Sequence, residues 1–275
     1  MKKFLPLLFV LALFTPILLG GCSSTDTDKK LPDQPVEVLY NKAAASMDKK
    51  EFKKAASEFN EVERQHPYSE WAARAQLMAA YALYQNQQYD EAIIGLDRYM
   101  ELHPGAKDID YALYLKALCS YEQISDVVRD QQMTKDAMAS LETLINRYPD
   151  SLYTRDAILK RDLTLDHLAG KEMEIGRYYL NRGETNAAIN RFRTVIKDYQ
   201  TTTHVPEALE RLVECYITLG LKDEALRVAA VLGHNYPGSK WYEQAYKLMD
   251  DAQRAKLKSS QSFIDKTVNS LLKPD

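Results

Sequence analysis

The stretch LERLVECYITLGLKDEALRVAAVLGHNYPGS, residues 209–239, determines the fold of this chain. Its apolar residues recur every three or four positions over two segments, which predicts two amphipathic helices. Gly220 lies between these segments, and Pro237 follows the second, where proline cannot continue a helix. Ala225 stands twelve positions before that proline and is small enough for two helices to cross closely. The stretch therefore predicts one pair of packed helices.

The same pattern recurs along the chain, which indicates a tandem repeat. An alanine followed twelve residues later by proline occurs as Ala55/Pro67, Ala92/Pro104, Ala137/Pro149 and Ala225/Pro237, with Gln200 in the place of the proline after Ala188. An apolar or small residue four positions after each alanine completes the second half of the tetratricopeptide consensus, and Gly176 fits its first half. We predict an all-α, right-handed solenoid of about five helix pairs with a C-terminal capping helix.

The residues between these markers predict further helix boundaries. Residues 153–182 contain no proline, which predicts one long helix, or a helix that kinks or ends at Gly170. A final helix from Trp241 to about Leu272 is predicted to cover the last repeat. Serines two positions after a proline are predicted helix N-caps: Ser69, Ser151 and Ser239. The aromatic residues that follow are expected to pack between repeats rather than bind a ligand: Trp71, Tyr153 and Trp241.

The amino terminus has the pattern of a bacterial lipoprotein signal. Lys2 and Lys3 precede an apolar stretch, and Leu19-Gly20-Gly21-Cys22 resembles a lipobox. We therefore predict a removed signal peptide over 1–21, a lipid on Cys22 and a polar tether over 22–35; the alternative is an ordinary signal with a chance cysteine. By resemblance to enterobacterial sorting rules, the absence of aspartate after Cys22 favours the outer membrane, and we expect the chain on its periplasmic face.

Residues 36–150 and 151–275 are predicted to form two halves of the repeat array. No phosphate-binding loop, serine-hydrolase elbow or zinc-protease motif is present, and the five histidines are scattered, so no catalytic residue, metal site or cofactor beyond the lipid is predicted. Loss of Lys2 and Lys3 changes the formal net charge from −3 to −5, and no basic run suggests nucleic-acid binding. Cys119 and Cys215 are expected to be buried free thiols rather than a disulfide.

Tyrosine is abundant, with 18 residues, and four of them suggest a binding surface. These four lie at i, i+3 spacing on the predicted first helices of the second and third units: Tyr81, Tyr84, Tyr111 and Tyr114. Their rings could present an amphipathic surface to an extended peptide with apolar side chains. The alternative is that half of the rings pack between helices.

Four segments carry a resemblance to a known family. They are IDYALYL (109–115), RYPDSLYTRDA (147–157), YYLNRG (178–183) and NRF (190–192), and they resemble the BamD (ComL/YfiO) lipoproteins. The likeness extends from Cys22 to about Met249. The stretch between Tyr121 and Met133 is shorter than this family suggests, and the basic tail after Met249 is longer.

The resemblance implies a non-enzymatic scaffold and substrate receptor of the outer-membrane β-barrel assembly machinery. It places unfolded barrel precursors on the amino-terminal half, 36–150, near the four tyrosines. It places the periplasmic domains of a BamA-like barrel-forming subunit on the carboxy-terminal half, 151–275, near Arg191, with other assembly lipoproteins as further partners. For Arg191 the alternative is an i,i+4 surface pair with an acid. The alternative function is a periplasmic lipoprotein that coordinates envelope constriction or peptidoglycan enzymes.

Overall fold

The computed structural model describes residues 34–259, and within this range the chain is entirely helical apart from its turns. The helices are α1 (Val36–Asp48), α2 (Phe52–Gln65), α3 (Glu70–Gln85), α4 (Tyr89–Leu102), α5 (Ile109–Tyr121), α6 (Gln132–Arg147), α7 (Thr154–Asn181), α8 (Thr185–Asp198), α9 (Val205–Thr218), α10 (Lys222–Asn235), α11 (Lys240–Leu248) and α12 (Asp251–Ser259). The prediction of an all-α fold of the tetratricopeptide type is confirmed.

The first ten helices form five consecutive pairs, in which each helix packs mainly on its neighbours in sequence. The key alanines lie on the second helix of each pair and are fully buried: Ala55, Ala92, Ala137, Ala188 and Ala225. First helices also contact the first helix of an adjacent pair, as in α1 with α3, α3 with α5, and α9 with α11. Side chains on first helices of neighbouring repeats can therefore form one surface.

The long helix predicted after Tyr153 is confirmed as α7, with 28 residues. At 1.5 Å per residue it is about 42 Å long. The alternative in which Gly170 ends it is wrong, because α7 continues eleven residues beyond this glycine. A Cβ at position 170 would lie 3.2 Å from Nε2 of His204 and 3.4 Å from a methyl group of Val127. Gly170 therefore permits a close approach of two neighbouring segments.

Two of the three predicted serine caps are confirmed. Ser69 Oγ accepts the backbone N–H of Ala72, and Ser239 Oγ accepts that of Tyr242, both at 3.1 Å. The prediction for Ser151 is wrong, because α7 begins three residues later, at Thr154. Ser151 Oγ accepts the backbone N–H of Tyr153, which precedes the helix, at 3.2 Å, and its hydroxyl donates to Asp110 Oδ2 at 2.6 Å.

The carboxy-terminal cap differs from the single predicted helix. Met249 is extended, with φ −83° and ψ 148°, and separates α11 from α12. Asp250 Oδ1 accepts the N–H of Gln253 at 2.8 Å, while Gln253 Oε1 accepts the N–H of Asp250 at 3.1 Å. This reciprocal capping box stabilises a new helix start. The prediction of one continuous helix is therefore wrong for the described residues, which end at Ser259. The rest of the predicted helix lies outside the described residues.

The aromatic residues after the serines pack between repeats, as predicted. Trp71 lies edge-on to Tyr40 of the preceding pair, with 4.9 Å between ring centroids, and Tyr153 contacts two tyrosines of α5. Cys119 and Cys215 are buried and free, also as predicted, and burial raises the pKa of each thiol to about 12.

Several predictions concern residues that the structure does not describe. The signal peptide 1–21, the lipid site Cys22 and nearly all of the tether 22–35 lie outside the described residues, as does the basic tail from 260 onward. Among the helices of 34–259, none combines the length and apolar character required to cross a membrane.

Candidate functional site

The four predicted tyrosines form one cluster on the first helices of adjacent repeats. Tyr81 and Tyr84 lie on α3, Tyr111 and Tyr114 lie on α5, and all four are half-buried against one apolar core. Part of each ring therefore packs between helices, as the alternative interpretation predicts. The remainder of each side chain stays accessible.

Tyr153, which precedes α7, extends this cluster to a third repeat. Its ring stacks on Tyr114 with 5.0 Å between centroids and lies at a tilt to Tyr111 at 5.2 Å. The spacing pattern did not include Tyr153 in the site, because it lies 39 residues after Tyr114 in sequence. Its position between a proline turn and α7 was the only available signal.

Side-chain hydrogen bonds fix the orientation of two members of the tyrosine cluster. The Tyr114 hydroxyl donates to Asp156 Oδ2 at 2.6 Å, and Tyr81 Oη accepts from the Gln85 amide at 3.0 Å. Burial raises the pKa of both Tyr111 and Tyr114, so these phenols remain neutral over the physiological range. The cluster is a neutral amphipathic surface, with ring faces for apolar side chains and hydroxyls for backbone groups.

Arg191 lies on α8, in a different part of the fold from the tyrosines. Its Nη1 atom donates to Glu172 Oε2 of α7 at 3.0 Å, while 41% of its side chain stays exposed. The acid is 19 residues away in sequence, so the pair joins two helices rather than two turns of one helix. A half-exposed guanidinium of this kind retains donors for a second, external carboxylate.

A second group of charges on α9 was missed by the sequence analysis. Arg177 of α7 contacts Glu207 at 3.0 Å, and Arg211 contacts Glu214 at 2.7 Å. Glu210 lies between them and is only 3% exposed. The available signal was the i, i+3, i+4, i+7 spacing of residues 207, 210, 211 and 214, which places them on one helix face.

The described part of the chain contains no group of three histidine, cysteine, aspartate or glutamate side chains that could hold a metal ion. What it contains instead are an aromatic surface on the first helices of the second and third pairs and a charged surface on α7 and α8. Both are suited to contacts with other macromolecules.

Comparison with known proteins gives a consistent result. The profile of the YfiO family, described as an outer membrane lipoprotein, matches residues 32–232. The outer membrane protein assembly factor BamD of Caulobacter vibrioides is 49% identical over 248 residues, which cover 90% of this chain and 81% of that protein. The BamD of Rickettsia prowazekii is 48% identical over 253 residues, covering 92% and 99%. That of Neisseria meningitidis serogroup A is 31% identical over 245 residues, covering 84% and 92%.

Proposed function

The chain belongs to the YfiO family of outer membrane lipoproteins, and from this we propose that it acts in outer-membrane protein assembly. Its role is that of a non-enzymatic scaffold at the outer membrane, anchored on the periplasmic face by lipid on Cys22. The observation that carries this proposal is the 48–49% identity to two assembly factors over at least 90% of this chain. The names of these relatives do not favour the alternative role in envelope constriction.

Within this role, the tyrosine cluster is proposed to receive unfolded barrel precursors. An unfolded barrel strand alternates apolar and polar side chains and exposes unpaired backbone groups. Half-buried rings on α3 and α5 offer apolar contact area with few rotatable bonds, and their hydroxyls can pair with the exposed backbone. Residues 36–150 would thus form the substrate-binding half.

The Arg191 surface is proposed to dock the periplasmic domains of a barrel-forming subunit. Glu172 holds the guanidinium in place, so less conformational entropy is lost when an external carboxylate binds. Residues 151–275 would then form the partner-docking half, and other assembly lipoproteins would join the same complex.

The proposed function is tested by purification of the tagged chain from its native envelope in mild detergent, with mass spectrometry of the bound proteins. A stoichiometric barrel protein with repeated periplasmic domains is the expected partner. Peptidoglycan synthases in its place would contradict the proposal and support the envelope-constriction role.

Replacing Tyr81 and Tyr84 by alanine should weaken the binding of an unfolded barrel strand about tenfold. The loss of two aromatic contacts at an interface corresponds to roughly 1.4 kcal/mol. Fluorescence anisotropy with a labelled synthetic strand ending in an aromatic residue measures the affinity. Tyr68→Ala is the matched control, because Tyr68 is fully exposed in the turn before α3 and lies outside the cluster. An equal loss in the control would mean that the peptide does not recognise the cluster.

Arg191→Glu should reduce the recovery of the barrel-forming subunit at least tenfold, with little effect on stability. The surface pair with Glu172 contributes at most about 1 kcal/mol. The double variant Arg191→Glu/Glu172→Arg rebuilds an internal pair in reverse and is the control. Docking that the double variant restores fully would show that Arg191 acts only within the chain.

Cys22→Ser should abolish lipid attachment and leave a precursor outside the outer-membrane fraction. Serine has no thiol to form the thioether with the glyceride, and a protein without acyl chains has no stable anchor. Membrane fractionation with metabolic labelling by a fatty acid provides the measurement. An unchanged outer-membrane distribution of the variant would contradict the anchor.

A further inference from the structure

A cleft of about 450 Å³ lies beside the middle of α7, away from the tyrosine cluster. One wall is the loop between α5 and α6, from Val128 to Gln131, and the other includes Tyr199 after α8. Its floor is the face of α7 that carries Leu168 and Ile175. The loop belongs to the third repeat and Tyr199 to the fourth, so the cleft joins the two halves of the array.

Both walls of the cleft are tied to α7. Lys171 Nζ donates to the carbonyl oxygens of Val128 and Arg129 at 2.9 and 3.2 Å. On the other side, the Thr203 hydroxyl and backbone N–H both donate to Asp166 Oδ1, at 2.7 and 2.9 Å. These bonds join residues that are 37 to 43 positions apart in sequence, and they fix the loop and the turn relative to α7.

The rim of the cleft carries cations that form no ion pair among the described residues. Arg129 and Lys135 are exposed and form no ion pair among the described residues, and Lys171 adds a third cation. Of the two rim carboxylates, Asp130 accepts the backbone N–H of Gln132 at 2.7 Å, and Glu172 is already bound by Arg191. With Glu172 paired to Arg191, three cations and one unpaired carboxylate, Asp130, remain at the rim, so a carboxylate entering the cleft would meet a net positive charge above an apolar floor.

We propose that this cleft binds an acidic segment of a partner protein, with an apolar side chain of that segment on Leu168 and Ile175. The inference rests on the proposed function in that the partner is a component of the assembly complex. Glu172 connects the cleft to Arg191, so the two form one continuous docking surface across α7 and α8. The free cations set the preference for acidic segments, and the apolar floor sets the need for an apolar side chain.

Photocrosslinking from the cleft tests this inference in the full lipidated chain within intact cells. A photoreactive residue at Val128 is suitable, because this uncharged side chain is 61% exposed and lines the cleft. The expected product is one assembly component, cross-linked within a few residues of an aspartate or glutamate. The matched control carries the photoreactive residue at Ile94, which is 70% exposed on α4 and distant in sequence from the cleft.

Charge reversal then tests whether the captured segment is recognised by its charge or is merely close to Val128. Arg129→Glu/Lys135→Glu should reduce capture at Val128 at least tenfold, because both side chains are exposed and their replacement leaves the core unchanged. Replacing the captured acid by lysine in the partner should restore capture in this variant. An unchanged circular dichroism melting curve verifies that the variant is folded.

Four outcomes would overturn the inference. These are capture that charge reversal leaves unchanged, capture of a segment without acids, cross-links to anionic lipid, and no capture at all. If the wild-type chain still co-purifies with a barrel-forming subunit, the failure concerns the cleft alone. If it co-purifies with no assembly component, the proposed function itself fails.

Discussion

Gly176→Ala is expected to lower the free energy of unfolding by about 1 to 3 kcal/mol, although alanine is the better helix former. A Cβ on residue 176 would lie 2.4 Å from Cε1 of Phe192 and within 2.9 Å of two further ring atoms. Phe192 is fully buried in α8, so its ring cannot rotate into solvent. The helices α7 and α8 must separate to accept even one methyl group, and the packing between them is lost. Urea unfolding followed by circular dichroism measures the change.

Gly95→Ala is the matched control, because this glycine also lies inside a helix of the array, α4. A Cβ there would be 3.6 Å from Ala80, which is an ordinary van der Waals contact. The control should therefore raise the free energy of unfolding by about 0.5 to 1 kcal/mol through helix propensity. Phe192→Leu should partly rescue Gly176→Ala, since a smaller side chain leaves room for the methyl group. Equal stabilities of the two alanine variants would contradict the close crossing.

The periodic features of this chain could be predicted from sequence because they depend on local rules. Helix pairs, the buried alanines and the long α7 follow from apolar spacing and from the positions of proline. The position of Gly176 in the repeat was predictable in the same way. Its contact with Phe192 required only that the two helices cross at the small residue.

The failures have a different origin, because they depend on contacts between distant residues. Ser151 does not cap α7, since the turn that follows it delays the start of the helix to Thr154, while its hydroxyl donates to Asp110 of the preceding repeat. Gly170 does not end α7, because tertiary packing of the turn at His204 outweighs its low helix propensity. The break at Met249 is an exception, since Asp250 and Gln253 form a capping box that could have been recognised in the sequence.

The candidate site was predicted only in part, because some of its contacts join residues that are distant in sequence. The i, i+3 spacing identified tyrosines that share a helix face, and repeat stacking brings the two helices together. Neither the contact of Tyr153 with two of these rings nor the Glu172 partner of Arg191 follows from any local spacing. The burial of Glu210 was equally inaccessible, because it depends on the packing of other helices around α9 rather than on the sequence of α9.

Glu210→Gln is expected to raise the free energy of unfolding at pH 8 by on the order of 1 to 3 kcal/mol. Burial raises the pKa of this carboxyl from its usual value to about 7, and Arg211 opposes the effect only in part. The nearest guanidinium atom, Arg211 Nε, is 3.5 Å from Oε2, and this oxygen has no hydrogen-bond donor among the described residues. Glu214 and Glu207 add repulsion. Glutamine has the same shape and carries no charge to desolvate.

The stability gained by Glu210→Gln is expected to increase with pH. A carboxyl group whose pKa is higher in the folded state binds its proton more tightly there. Its favourable contribution is complete below the unfolded-state pKa, about 4.3, and is lost as the pH rises through about 7. The gain from Glu210→Gln should therefore be close to zero at pH 4.5, increase through pH 6 and level off near pH 8. Urea unfolding at several pH values measures the curve.

A control variant at an exposed glutamate distinguishes the effect of burying the charge from the effect of removing a charge anywhere on the chain. Glu101 is exposed on α4 and forms no ion pair within the described part of the chain, so Glu101→Gln should change stability by less than about 0.5 kcal/mol at every pH. A loss of stability in Glu210→Gln at pH 8 would mean that Arg211 outweighs desolvation and that Glu210 is a stabilising anion. The expected gain would show that the buried carboxylate of Glu210 destabilises the fold when it is ionised, above about pH 7, and not when it is protonated.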